Sequence, residues 1–138
     1  MKKDINILII SVWILVILSS CSGNNIYFDI KSQSVKTCNK RIITSLWISS
    51  KGQSDDYCYL SKLPEKNGTN TFSLVKLDAD YIIESIDGEI LWKDTFKLRP
   101  ETEYEIVNST FGDAAHAIIL IKTDKEGKVI YSDVTSCK

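Results

Sequence analysis

Beyond its first twenty residues this chain repeats apolar and polar side chains at period two, and no stretch carries a sustained helical stripe. The segment Glu103-Tyr104-Glu105-Ile106 is typical: successive side chains of an extended strand point to opposite faces, so the acids share one face and the apolar residues the other. This periodicity predicts strands over Ile26–Ile30, Val35–Cys38, Arg41–Ile48, Tyr57–Leu60, Thr71–Leu77, Tyr81–Ile86, Glu89–Leu98, Glu103–Ser109, Ala115–Lys122 and Lys128–Val134. Polar runs at Ser50–Asp56 and Pro64–Asn70 read as loops. Asp87-Gly88 predicts a two-residue hairpin turn, and Lys125-Glu126-Gly127 a second hairpin. Many short strands with regular punctuation bury their apolar faces by closing two sheets on each other. The expected fold is all-β, a small antiparallel β-sandwich over residues 26–138.

The 138 residues carry a formal net charge of −1, which is the size and balance of one globular domain. Without a basic excess, no nucleic-acid partner is expected.

The first twenty residues follow a different rule. Lys2 and Lys3 open the chain, Ile5–Leu18 is apolar except for Asn6 and Ser11, and Ser19-Ser20-Cys21 ends the run. A basic start, a short apolar core and a small-residue end are the pattern of a secretory signal peptide, here residues 1–20. The apolar run is shorter than the roughly 18–20 residues that cross a bilayer as a helix. Leu18-Ser19-Ser20-Cys21 resembles the bacterial lipobox. That resemblance implies cleavage before Cys21, a diacylglycerol on its sulfur and usually an acyl chain on its new amine. Each buried methylene adds about 0.8 kcal/mol, so two or three chains anchor durably. By analogy with the sorting pattern of enterobacterial lipoproteins, Ser22 implies the outer membrane, with the domain facing the periplasm. Residues 21–25 then read as the lipidated cysteine and a short polar tether.

Lipidation of Cys21 leaves Cys38, Cys58 and Cys137 in an oxidising compartment. Three cysteines allow one disulfide in any of three pairings, or none. A bond from Cys137 would pin a terminus that otherwise frays.

Leu98-Arg99-Pro100-Glu101-Thr102-Glu103-Tyr104-Glu105-Ile106 resembles a fibronectin type III pattern. The resemblance implies that Tyr104 forms a tyrosine corner, with its ring in the core and its hydroxyl bonded to nearby backbone. Leu98 would be a core contact, Pro100 would fix the turn and Thr102 would start the next strand. The family also carries a Trp on its second strand, which would place Trp47 there.

No constellation in the sequence supplies catalysis. His116, the only histidine, stands among alanines with no orienting acid in a recognisable motif. Asp55-Asp56, Asp78-Ala79-Asp80 and Asp87-Gly88-Glu89 fall short of the oxygen density that calcium requires and read as solvated turns. Glu101, Glu103 and Glu105 read as a solvent-facing ridge. No catalytic residue, metal site or cofactor is expected. Trp47, Trp92, Phe72, Phe96 and Phe111 read as core, with Trp92 the candidate for an interface if exposed. The sequence therefore predicts a lipid-anchored envelope protein, non-enzymatic, whose sandwich binds another envelope or secreted protein. Two alternatives stand beside it: a periplasmic immunity lipoprotein that neutralises a neighbouring cell's toxin, and a small-ligand or metal-binding domain or minor enzyme.

Overall fold

A computed structural model describes residues 23–52, 57–91, 97–109 and 116–137. The lipobox with Cys21, and Trp92, Phe96, Phe111, Asp55 and Asp56, lie outside the described residues. Within them the chain is all-β, with no helix. Ten strands follow in order: β1 (Ile26–Asp29), β2 (Ser34–Thr37), β3 (Ser45–Ser50), β4 (Tyr57–Lys62), β5 (Thr71–Ser73), β6 (Tyr81–Ser85), β7 (Ile90–Leu91), β8 (Glu103–Asn108), β9 (Ala117–Thr123) and β10 (Val129–Ser132).

The strands form two antiparallel sheets, one ordered β1-β2-β5 and the other β10-β9-β8-β3-β4-β6-β7. Together they make a small β-sandwich. Phe28, Val35 and Phe72 of the smaller sheet meet Leu46, Ile48, Leu60, Ile106, Ile119 and Ile121 of the larger in one buried cluster. Phe72 packs edge-on against Tyr81 across the sheets, with ring centres 5.2 Å apart. Burying a large apolar side chain contributes about 1.5–3 kcal/mol, so this inner layer supplies the main drive to fold. The β1-β2-β5 sheet faces the larger sheet, in which β3 lies between β4 and β8. The β6–β7 hairpin extends the larger sheet at one edge and β10 extends it at the other.

On one flank the two sheets are joined by polar groups. The Phe28 N–H donates to the Val134 carbonyl at 2.9 Å. Gln33, buried with φ 51°, uses its side-chain amide like a strand backbone. Its Nε2 donates to the Val129 carbonyl at 2.8 Å, and its Oε1 accepts from the Val129 N–H at 2.8 Å. The β9–β10 register shifts just beyond this point, between Val129 and Tyr131.

Several expected elements shorten or change. The strand expected over Arg41–Ile48 begins only at Ser45, because Ile43 bonds to the Thr69 carbonyl of the 63–70 loop instead of to a strand. Thr71–Leu77 is a strand only to Ser73, where the Ser73 hydroxyl accepts from the N–H groups of Val75 and Lys76 and turns the chain. The Asp87-Gly88 turn is a three-residue loop, not a two-residue one: Gly88 N–H donates to Ser85 O, and Ser85 N–H to Glu89 O. Of the loop residues only Gly88 has positive φ, at 77°, whereas the two-residue type I′ turn needs two such residues.

Candidate functional site: the outer face of the larger sheet

Residues directly opposite on neighbouring strands project to the same face of a sheet. Trp47 on β3 faces Tyr59 on β4 and Val107 on β8, and Val107 faces Ile118 on β9. In the other direction Tyr59 faces Glu84 on β6, which faces Ile90 on β7. These residues form one row across six strands on the solvent side. Trp47 remains 39% exposed, Ile118 54% and Ile90 56%. The Trp47 and Tyr59 rings lie 4.5 Å apart, tilted by 47°. The row is apolar except at Glu84. Solvated antiparallel sheets usually present polar residues on this side, so the unbroken run Tyr59, Trp47, Val107 and Ile118 is the informative exception.

This geometry replaces the expected place of Trp47. It lies on β3, not on the second strand, and it faces outward. Leu46 and Ile48 take the inner face, because a shift of one residue reverses every side chain. Phe72 is fully buried, as a core residue would be.

At the far end of the strands Tyr104 is buried and its hydroxyl accepts from the Arg99 N–H at 2.8 Å. Leu98 packs against the core and Pro100 is exposed. The Thr102 hydroxyl donates to the Pro100 carbonyl at 2.7 Å, and Thr102 N–H to the Thr123 hydroxyl at 2.9 Å. Next to this corner is an open depression of about 370 Å³ lined by Ser50, Lys51, Arg99, Glu101, Thr102 and Glu103. Its charges are mixed: Glu103 accepts from Lys122 at 2.5 Å, and Lys51 Nζ lies 3.9 Å from it. Lys122 holds the Glu103 carboxyl below the usual range. Glu101 leaves the expected ridge, since it sits in the preceding turn with φ 50°.

Cys38 and Cys137 form a disulfide with Cα atoms 5.5 Å apart, and Cys58 is buried on β4. His116 is exposed just before β9. Among the described residues no group of three or more His, Cys, Asp and Glu side chains converges.

Three bonds that period-two reading passes over fasten the start of the domain. The Gly23 carbonyl accepts from Asn39 Nδ2 at 2.7 Å, and the Asn24 carbonyl from Asn108 Nδ2 at 2.9 Å. The Asn25 carbonyl accepts from Cys38 N–H at 2.9 Å, and Asn24 is itself buried. Thus Gly23, Asn24 and Asn25, read from composition as tether, are tied to the folded domain. No local pattern announces these bonds, because their partners lie up to 84 residues away. Compared with known protein families, with characterised proteins and with solved structures, the chain gives no significant match.

Proposed function

We propose that this chain is a lipid-anchored envelope protein whose sandwich binds another protein through the outer face of the larger sheet. The observation that carries the reading is the run Tyr59, Trp47, Val107 and Ile118. Aromatic residues with partly buried flanks are the usual centre of a protein interface. The rigid sheet beneath holds their side chains in place, so binding loses little conformational freedom. No catalytic step is part of the proposal, and the anchor rests on the resemblance of Leu18-Ser19-Ser20-Cys21 to a lipobox.

The test is site-specific photocrosslinking in intact cells of the source bacterium. A photoreactive residue at Ile118 is expected to give one stoichiometric adduct with a second protein. The same probe at Lys36, on the smaller sheet, is expected to give none. Trp47→Ala should abolish the Ile118 adduct. Equal adducts from both faces, or none from Ile118, would refute the interface. The adduct's identity separates an envelope component from a toxin.

A further inference from the structure

The start of the domain lies at one pole of the sandwich. Gly23 and Asn24 are clamped by Asn39 and Asn108, and the Cys38–Cys137 bond fastens the C-terminal end at the same place. The tyrosine corner and the Lys125-Glu126-Gly127 turn stand at the opposite pole, separated by the six residues of β8, about 17 Å of strand. Only two residue steps separate Cys21 from the clamped Gly23. Two steps of extended chain reach at most about 7 Å. That distance is comparable to the headgroup layer of one leaflet, about 5–7 Å. A lipid on Cys21 therefore leaves no room for the clamped pole to stand clear of the headgroups.

The chemistry of that pole suits such a neighbour. Asn39, which holds Gly23, also accepts from the Arg41 N–H at 3.1 Å, and the Thr37 hydroxyl donates to the Arg41 carbonyl at 2.8 Å. This bracket holds Lys40 at φ 60°. An L-residue there is strained relative to the right-handed region, and glycine would avoid most of that strain. The chain places a lysine there, exposed, beside exposed Arg41 and Ile42. Gly68 of the 63–70 loop packs on Ile42: a Cβ there would stand 2.7 Å from the Ile42 Cγ2. The result is two cations and one aliphatic side chain on a backbone braced from both sides.

We infer that Lys40, Arg41 and Ile42 form a docking site for anionic phospholipid headgroups, which stands the sandwich end-on at the bilayer. The inference rests on the lipid-anchor reading above. Lys40 follows Asn39, the residue that holds Gly23, so the cations stand beside the point where the short link leaves the domain, and attraction to a charged surface acts over about one Debye length, roughly 8 Å. In this pose the aromatic row of the larger sheet faces sideways and remains open to a protein partner.

The experiment is hydrogen–deuterium exchange on the full lipidated protein, in vesicles containing phosphatidylglycerol and in vesicles of phosphatidylcholine alone. Flotation of the same samples reports the anchor separately. The expected result is slowed exchange over 39–42 in the anionic vesicles, with no change over 99–102 or 124–127. Each basic side chain near an anionic surface contributes about fivefold, so Lys40→Glu with Arg41→Glu should weaken the protection by about thirtyfold or more. Lys40→Gly separates docking from folding: it should raise the thermal midpoint yet weaken the protection. Insertion of a ten-residue Gly-Ser spacer after Ser22 should also weaken it while flotation stays complete. Flotation without protection at 39–42, or equal protection in both lipids, would overturn the docking site alone. Loss of flotation in the unaltered chain would overturn the anchor and the docking site with it.

Discussion

Replacing Gln33 by alanine removes the side-chain amide that pairs with both backbone groups of Val129. Val129 is 1% exposed, so water cannot take over. Leaving a buried donor or acceptor unpaired costs about 1–3 kcal/mol, which for two groups gives roughly 2–6 kcal/mol. The bond from Nε2 to the Ile30 carbonyl is only part-buried and adds little. Freeing the ordered glutamine side chain returns about 1.5–2 kcal/mol. The expected net loss is therefore about 2 kcal/mol. With a urea slope near 1.5 kcal/mol per molar, the midpoint falls by about 1.3 M. Gln33→Gly removes the same bonds but suits φ 51°, so it should cost about 1 kcal/mol less than alanine. Gln33→Glu keeps the acceptor for Val129 N–H but sets an oxygen against the Val129 carbonyl, and should be at least as damaging as alanine. The assay is urea unfolding followed by tryptophan emission, with the disulfide intact. A loss below about 0.5 kcal/mol for alanine, or glycine worse than alanine, would refute the view that Gln33 acts as a surrogate strand.

Three further outcomes are expected. Cys137→Ser opens a cross-link between residues 99 apart and should lower stability by about 2–5 kcal/mol, with reductant reproducing the loss in the unaltered chain; the buried Cys58 thiol should react with a thiol reagent only as the protein unfolds. Tyr104→Phe strips the acceptor from the Arg99 N–H and should cost about 1–3 kcal/mol in the same urea assay, with the ring still buried. The hydrogen bond from Lys36, with a further one from Ser32, holds the Asp29 carboxyl at about 2 against its usual 3.8. Because the folded value is depressed, the stability from this pair is complete above the unfolded carboxylate pKa and disappears as pH falls towards 2. Lys36→Met should return the midpoint towards the usual value in a carbon-13 NMR titration, and an unchanged midpoint would exclude Lys36 as the cause.

Much of the fold could be read from local patterns because strand periodicity is a local property. The alternation in Tyr81–Ser85 and Glu103–Asn108, and the glycines of the turns at Gly88 and Gly127, reflect forces that act within a few residues. The bond from Arg99 N–H to the Tyr104 hydroxyl is likewise local, spanning five residues. The strand expected over Arg41–Ile48 failed to extend because Ile43 found a distant partner in Thr69, whereas Thr71–Leu77 was ended locally by the Ser73 hydroxyl.

The sequence by itself determined that the domain is all-β and that its first residues resemble a lipoprotein signal, since periodicity, turn residues and a lipobox-like tetrapeptide are written in consecutive letters. Only tertiary structure decided which faces of the strands turned inward. Leu46, Trp47 and Ile48 are all apolar, so their alternation could not say which side met the core. The packing of β3 between β4 and β8 resolved it and left Trp47 and Tyr59 outside. Tertiary structure also brought Cys38 to Cys137, Gln33 to Val129, and Asn39 and Asn108 to Gly23 and Asn24. Each of these contacts is made by residues remote in sequence, and their meeting depends on how whole sheets close on one another.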